Sequence, residues 1–416
     1  MRLSEKLFLK ALKASLIDKK VKWDFDIDQS IWAEMFSLAE AHHALPLIFE
    51  AVRECPAALK ADPRFFAAYK GRVIRSVTMQ TMKTADFLEI YRKLSECGIT
   101  PLVIKGIVCR NLYPKPDYRM STDEDLYVGV EDFPKLHELF LSWGLTMEDP
   151  KQSLEEYEIS YIRPGSFTFL EVHRNLFQPD LKAYGEWNSF FTNAKDQAVS
   201  MEVDGVNIWT LSPTDHLFFL ICHAFKHFLH GGFGLRQVCD MVLFANAYGC
   251  EIDWERIVLQ CQEISAEVFT AALFQIGKKY FVFDEEKACY PECLKKLVVD
   301  EEELLLDLLD SGIYGSSTVN RKRSSHVTLD AVSAEKSGKK SRSAALKSLF
   351  PPVEYLESRY SYLHKRPYLL PFAWCDRIIK YRKEAKASVG SDVLETLKIG
   401  KDRVELLKKY GIIKRK

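Results

Sequence analysis

Residues 99–106, ITPLVIKG, and residues 123–130, DEDLYVGV, decide the fold of this chain. The first stretch is a short apolar run with β-branched side chains that ends in glycine, which is typical of a buried strand before a turn. Residues 107–112 then predict a short helix, and the second stretch predicts another strand. This order of elements indicates a sheet with helices packed beside it.

The chain continues with the same mixture of elements. Residues 131–143 predict an amphipathic helix. Two antiparallel strands are predicted over residues 157–163 and 167–173, joined by a tight turn at Pro164-Gly165. We therefore predict a compact unit of sheet and helices over residues 98–205.

Helical regions are predicted on both sides of this unit. Residues 1–97 carry apolar side chains at three- and four-residue spacing, which indicates helices. Ser212-Pro213 opens another helix, because serine suits the N-cap and proline suits the first turn. Helices are expected over residues 206–314 and again over residues 344–416. The predicted fold class is α+β, a small mixed sheet flanked by N-terminal and C-terminal helical regions.

Residues 315–343 differ in composition from the rest of the chain. They are rich in Ser, Lys, Arg and Gly and contain few large apolar residues. This composition predicts a flexible basic linker or a surface insertion. Its basic side chains could contact RNA or phosphate, but a solvated loop is the expectation.

The overall composition excludes several classes of protein. Lys plus Arg and Asp plus Glu number 58 each, so no net charge favours nucleic acid or an anionic membrane. No stretch reaches the roughly 18 uncharged apolar residues that a membrane span needs. The ten cysteines form no CxxC pair and are expected to be reduced thiols. We expect a cytoplasmic protein without a membrane span.

Three carboxylates stand out as candidate metal ligands. Side chains alternate faces along a strand, so Asp123 and Asp125 point the same way, roughly 6–7 Å apart. Like charges this close repel, and a hard cation such as Mg²⁺ offsets the repulsion. Glu171 shares one face of the predicted hairpin with His173 and would supply a third carboxylate. Such a site can hold two metal ions, one activating a hydroxyl and the other binding a nucleotide's phosphates.

Several motifs in their order along the chain resemble one family. Leu102-Val-Ile-Lys105-Gly106 is followed by Leu112-Tyr-Pro114, by Arg119 and by Asp123-Glu-Asp125-Leu-Tyr-Val128. These motifs resemble the uncharacterised bacterial nucleotidyltransferase family of the DNA-polymerase-β-like nucleotidyltransferase superfamily. Further similarity lies in Ala41-His-His-Ala-Leu-Pro-Leu47, Glu171-Val-His173, Asp215, His216, His223, Leu235-Arg236, Asp240, Phe350-Pro-Pro-Val-Glu-Tyr355 and Arg359-Tyr360.

The resemblance implies a Mg²⁺-dependent enzyme that moves a nucleoside monophosphate from an NTP, with ATP expected, to a hydroxyl acceptor. It assigns catalysis and the binding of two Mg²⁺ ions to Asp123, Asp125 and Glu171. The acceptor and the preferred base are not specified by the sequence.

Three further residues are candidates for contact with the nucleotide. Gly106 would let the backbone approach a triphosphate, or would serve only as a turn. Lys105 could reach the phosphates as a point charge, or pair with a carboxylate. Arg119 could clamp phosphates bidentately, or form a structural ion pair with Asp123 or Asp125.

Two features favour an alternative, a catalytically inactive nucleotide-binding or regulatory protein with the same fold. Glu124 stands between the aspartates where the family usually has an apolar residue. It faces away from the metal side, so we expect it to reach solvent or to meet a cationic partner. Lys105-Gly106 also replaces the Gly-Ser or Gly-Gly turn of the superfamily.

The remaining polar residues of note are predicted to be structural. His223, His227 and His230 recur at helical spacing and are expected to pack their helix against the sheet unit. A zinc site is the weaker alternative, because no HExxH motif accompanies them. Arg236 and Asp240, four residues apart, are predicted to pair on a helix surface.

Overall fold

The computed structural model describes residues 1–312, 319–336, 362–387 and 393–414, together with the single positions 350, 353, 356 and 360. Helices account for most of these residues, and a β-sheet lies between them. The predicted α+β class is therefore confirmed.

The chain begins with a group of helices, α1 Leu3–Ser15, α2 Gln29–Ala41, α3 Leu45–Val52, α4 Pro56–Lys60 and α5 Pro63–Glu96. α5 begins where the Asp62 side chain accepts a hydrogen bond from the Arg64 amide, with Pro63 in the first turn. It ends just before Gly98, which has φ of +73° as a helix C-cap glycine does. These helices confirm the predicted N-terminal helical region.

Seven strands form one mixed sheet within the described residues. They are β1 Leu102–Val103, β2 Glu124–Tyr127, β3 Thr146–Met147, β4 Glu158–Ile162, β5 Phe169–His173, β6 Val199–Val203 and β7 Val206–Thr210. Their order across the sheet is β3-β4-β5-β2-β1-β7-β6. β1 pairs antiparallel with β2 and parallel with β7, while β2 pairs parallel with β5.

The predicted strands are found, and each has shorter bounds than predicted. β4 and β5 form the expected antiparallel hairpin. The strand predicted over residues 123–130 is limited to β2, because Gly129 adopts φ of +77° and begins a helix. Residues 206–210 belong to the sheet as β7, so the sheet continues beyond residue 205.

Two helices lie within the sheet unit, α6 Gly106–Arg110 and α7 Gly129–Ser142. A second group follows the sheet, α8 Pro213–His230, α9 Leu235–Tyr248, α10 Trp254–Glu263, α11 Glu267–Tyr280, α12 Glu292–Lys295 and α13 Glu301–Ser311. α8 starts as predicted: the Ser212 hydroxyl accepts a hydrogen bond from the Asp215 amide, and Pro213 occupies the first turn.

Residues 319–336 form a helix, α14 Val319–Lys336, so the prediction of a flexible linker is wrong for this part of 315–343. Its buried residues include Val327 and Leu329, and the Thr328 hydroxyl donates to the Leu229 carbonyl of α8. The few apolar residues of this segment are thus positioned to pack against the rest of the protein. Composition alone does not reveal such positions. The rest of 315–343 lies outside the described residues.

The C-terminal part also contains helices, α15 Tyr362–Lys365, α16 Leu370–Ala387 and α17 Val393–Lys409. A continuous core joins the N-terminal helices, the sheet and α8 to α13. Among the described helices, none is both long and apolar enough to span a membrane.

Candidate functional site

The two central parallel strands bring the predicted carboxylates together. Asp125 of β2 is paired in register with Glu171 of β5, so their side chains lie on one face of the sheet. Leu170 and Val172 occupy the other face and are fully buried. Asp123 immediately precedes β2, two residues before Asp125. The face assignment made from the alternation of residues is confirmed.

Asp125 is held by two basic side chains. The Lys105 ammonium lies 2.9 Å from Asp125 Oδ1, and His173 Nε2 lies 3.1 Å from the same oxygen. Burial alone would raise the pKa of Asp125, but the charge of Lys105 and the contact with His173 hold that pKa below its ordinary value. Asp125 is therefore a carboxylate at neutral pH.

Glu171 and Asp123 have the opposite electrostatic environment. Burial, followed by the charges of Asp123, Asp125 and Glu158, raises the pKa of Glu171 to about 10. Burial and the neighbouring Asp125 also raise the pKa of Asp123. These shifts show that the carboxylates repel one another, so the site gains stability from any added positive charge.

A group of potential metal ligands lies at the same place. Single ligand atoms of Asp125, Glu171 and His173 lie within 4.8 Å of one another. Asp123 is not part of this closest group. His173 is the ligand candidate that the sequence prediction did not include, although its position two residues after Glu171 on the same strand face was visible. Oxygen-rich donors of this kind fit a hard divalent cation.

Glu124 has a structural role and pairs with a cationic side chain, Arg110, which is one of the two alternatives that were predicted for it. It is 1% exposed, and its Oε1 lies 2.6 Å from Arg110 Nη2. Its Oε2 accepts a hydrogen bond from the Ile107 amide at the start of α6. An added Cβ on Gly106 would lie 1.8 Å from this oxygen. Gly106 therefore makes room for Glu124.

Arg119 forms a structural ion pair, but with Asp240 of α9 rather than with the aspartates of β2. Its Nη2 lies 2.6 Å from Asp240 Oδ2, and its Nε donates to Asp240 Oδ1 at 3.1 Å. The Tyr113 hydroxyl also donates to Asp240, at 2.7 Å. Both Arg236 and Asp240 are buried, so the prediction that they pair on a helix surface is wrong.

The segment before Asp123 is fixed by α5. The Lys83 ammonium donates to the carbonyls of Ser121 and Thr122, and the Gln80 side chain accepts a hydrogen bond from the Ser121 amide. The long helix α5 thus sets the position at which the chain enters β2. No motif or spacing in the sequence indicated this role of Lys83, apart from its position on a predicted helix.

α8 covers the site with histidines and a lysine. His223 Nε2 lies 3.0 Å from the Lys105 ammonium and 3.1 Å from His227 Nε2. His230 lies further along α8, 2.8 Å from the Tyr184 hydroxyl. Burial lowers the pKa of Lys226, against the attraction of Glu158, Glu171 and Asp125. Lys226 was missed by the sequence analysis, although it lies one helical turn from His223.

A small cavity lies beside Asp123 and Asp125, and a wider groove lies along residues 120–122, which precede Asp123. The cavity has a volume of about 20 Å³, and Lys105, Asp123, Asp125 and Arg236 are among its lining residues. The groove has a volume of about 440 Å³ and shares Ser121 with the cavity. His43, Arg72, Arg75 and Thr122 lie along it. The groove has the dimensions of a small-molecule site, whereas the cavity alone does not.

Comparison with known proteins places the chain in a family. Residues 28–281 match the family described as uncharacterised nucleotidyltransferase. The chain belongs to this uncharacterised nucleotidyltransferase family. The match spans the sheet, α8 and α9, and therefore every site residue described above.

The other comparisons add little to the family match. The crystal structure of an antigenic nucleotidyltransferase-like protein from Paracoccidioides brasiliensis is 13% identical to this member of the family, with a TM-score of 0.32. The similarity covers 50% of this chain and 96% of that protein. A search of curated proteins gave no match.

Proposed function

We propose that this nucleotidyltransferase moves a nucleoside monophosphate from an NTP, with ATP as the first candidate, to a hydroxyl acceptor. The acceptor oxygen forms a bond to the α-phosphorus, the bond from that phosphorus to the β-phosphate oxygen breaks, and pyrophosphate leaves. The observation that carries the proposal is the parallel register that pairs Asp125 with Glu171, next to Asp123. Membership of the family supports the general reaction.

The carboxylates of the site would hold the two Mg²⁺ ions of the proposed mechanism. Asp123, Asp125 and Glu171 would be the ligands, and His173 lies close enough to orient Asp125 or to join them. Burial and then the charges of Asp123 and Asp125 raise the pKa of Glu171, and a bound cation would relieve the repulsion among these carboxylates. Bound Mg²⁺ would supply charge neutralisation for the triphosphate and for the leaving pyrophosphate.

The side chains around the carboxylates have complementary roles in the proposal. The raised pKa of Glu171 would be lowered by bound Mg²⁺, and Glu171 would then be the carboxylate that takes the proton of the acceptor hydroxyl. Lys105 lines the cavity beside Asp125 and is placed to attract a phosphate. Arg236 lines the same cavity, and its charge opposes the rise in the pKa of Asp123 that burial and Asp125 cause, so it adds positive potential for a triphosphate. Arg119 acts as a positioning residue through Asp240.

The test is transfer of label from α-labelled NTPs in the presence of Mg²⁺ and a cell extract as the source of acceptors. Asp123→Asn and Asp125→Asn should each lower transfer by about 100-fold or more, the scale expected when a group that stabilises transition-state charge is lost. Circular dichroism should show that both variants keep their helices.

Asp132→Asn is the matched control, because Asp132 is an exposed carboxylate of α7 that pairs with Lys195. This variant should transfer label at the rate of the unmodified protein. If both Asp123→Asn and Asp125→Asn do so as well, the proposal is wrong.

A second candidate is a nucleotide-binding protein without transfer activity, and one observation favours it. The Ile107 amide is already bonded to Glu124, and the Lys105 charge is paired with Asp125. Lys105, a candidate for contact with phosphates, and the backbone amide that follows Gly106 therefore have protein partners. Calorimetric binding of ATP and Mg²⁺ without pyrophosphate release during long incubation would support this candidate over the enzyme.

A further inference from the structure

Two exposed cysteines lie in contact at the end of α9, away from the carboxylates. Cys250 Sγ lies 2.9 Å from Cys289 Sγ, and both residues are exposed. Cys250 lies in the 3₁₀ turn Gly249–Glu251 that continues α9, and Cys289 precedes α12. The two thiols are 39 residues apart in the chain. Their contact is therefore a product of tertiary structure.

The backbone on both sides of this contact is closely packed. A Cβ on Gly249 would lie 2.4 Å from backbone atoms of Ala288, so the two chain segments approach as closely as glycine allows. The Trp254 indole donates to the Ala288 carbonyl at 2.7 Å. These contacts fix the residues next to Cys250 and Cys289, so the proximity of the sulfurs does not depend on loose side chains alone.

Side-chain hydrogen bonds hold the same segment from its other end. The Asn246 amide donates to the Val282 carbonyl at 2.8 Å, and Asn246 Oδ1 accepts from the Asp284 amide at 3.0 Å. Cys289 itself has φ of +48°, a backbone conformation that few non-glycine residues adopt. Residues 282–289 thus pack against the end of α9 and are hydrogen-bonded to it, and the two thiols at the edge of this contact are exposed to solvent.

We propose that Cys250 and Cys289 form a site of reversible disulfide formation with small-molecule disulfides of the glutathione class. One thiolate attacks the small disulfide and releases one small thiol, and the second cysteine then attacks the mixed disulfide and releases the other. Both cysteines are oxidised, one disulfide reagent is reduced, and the two protons of the cysteines pass to the two thiols that are released. A covalent bond between the end of α9 and residue 289 results, and it constrains the unfolded chain.

The experiment uses the full chain, incubated with glutathione disulfide and then alkylated and digested with trypsin without reduction. Mass spectrometry should find peptide 237–256 linked to peptide 288–295, with fragments that assign the bond to Cys250 and Cys289. The thermal unfolding midpoint should rise by roughly 3–5 °C on oxidation and return on reduction.

Cysteine variants decide the assignment. Cys250→Ser should lose both the crosslink and the rise in the midpoint, whereas Cys293→Ser, at the exposed neighbour in the same peptide, should keep both. A crosslink through Cys293 would overturn the proposal. The proposal would also be overturned if glutathione adducts at Cys250 persisted as long as adducts at the exposed Cys97 and Cys375. Such persistence would mean that Cys289 does not attack the mixed disulfide at Cys250.

Discussion

Gly106 leaves room for the Glu124 carboxylate, which occupies the space that a side chain at position 106 would fill. The carboxylate of Glu124 accepts hydrogen bonds from the Ile107 amide and from the buried Arg110 guanidinium, which also donates to Ser121 Oγ. Loss of the carboxylate would leave buried donors of α6 unsatisfied. A carboxylate at this end of α6 also interacts favourably with the helix dipole. The residue between the two aspartates therefore fixes the turn that carries Lys105.

Gly106→Ala should destabilise the protein strongly. The backbone φ is +41°, and the new Cβ would lie 1.8 Å from Glu124 Oε2. The carboxylate must then leave the Ile107 amide or Arg110, so we expect a loss of about 3 kcal/mol or more in the free energy of unfolding. Chemical denaturation followed by circular dichroism measures this loss.

Gly98→Ala separates backbone strain from the steric clash. Gly98 has φ of +73° with no atom within 4 Å of an added Cβ. Only the cost of a left-handed conformation applies there, about 1 kcal/mol. Equal losses for Gly98→Ala and Gly106→Ala would contradict the role assigned to Glu124.

At the scale of elements, α9 is joined to the sheet unit by a buried charge network. Asp240 accepts hydrogen bonds from Arg119 and from Tyr113, which lie before β2 in the chain. Burial alone would lower the pKa of Arg119, but the charge of Asp240 more than offsets this effect and raises it. The network thus fixes the approach to the carboxylates from one side, as α5 does from the other.

Asp240→Asn should lower the free energy of unfolding by about 3–5 kcal/mol, because it leaves the buried Arg119 guanidinium without a counter-charge. Chemical denaturation measures the loss. Asp132→Asn is the control, since both side chains of the Lys195–Asp132 pair are exposed and the pair should contribute about 0–1 kcal/mol. A loss for Asp240→Asn no larger than that of the control would show that the network does not hold α9.

Local features of these elements were predicted from the sequence better than the tertiary contacts that their residues make. Strand alternation predicted that Glu171 and His173 share one face of their strand, because side-chain period two is a local property. The partner of Arg119 lies 121 residues away, and no local pattern links the two. α14 was missed for a similar reason, since its buried residues become apolar contacts only once α8 is beside them.

At the scale of the whole molecule, His42 joins the N-terminal helices to those that follow the sheet. Its ring lies tilted against Phe8 of α1, with ring centroids 5.5 Å apart. Its Nδ1 accepts a hydrogen bond from the Leu235 amide of α9, and its Nε2 lies 3.4 Å from the Leu309 carbonyl of α13. Burial lowers the pKa of His42 to about 4.

The stability of the protein should therefore fall as the pH decreases below about 6.5. In the unfolded chain His42 binds a proton below its ordinary pKa of about 6.5, whereas in the folded protein it stays neutral until about pH 4. The unfolded state then binds more protons, so the contribution of His42 to the free energy of unfolding decreases by about 2 kcal/mol from pH 7 to pH 5. Denaturation with urea at a series of pH values measures the slope.

Two variants at this junction distinguish titration of His42 from loss of packing. His42→Asn removes the titrating group and should flatten the slope between pH 7 and pH 5, leaving the part due to other groups such as His216, whose pKa burial lowers to about 3. Phe8→Leu weakens the same contact without removing the imidazole, so it should lower stability at every pH and keep the slope. A slope that is the same in His42→Asn and in the unmodified protein would mean that the junction does not hold His42 neutral. The acid sensitivity would then originate in groups other than His42. Asp123 and Glu171 cannot be its source, because their pKa values are raised in the folded protein and their contribution to the free energy of unfolding increases as the pH falls.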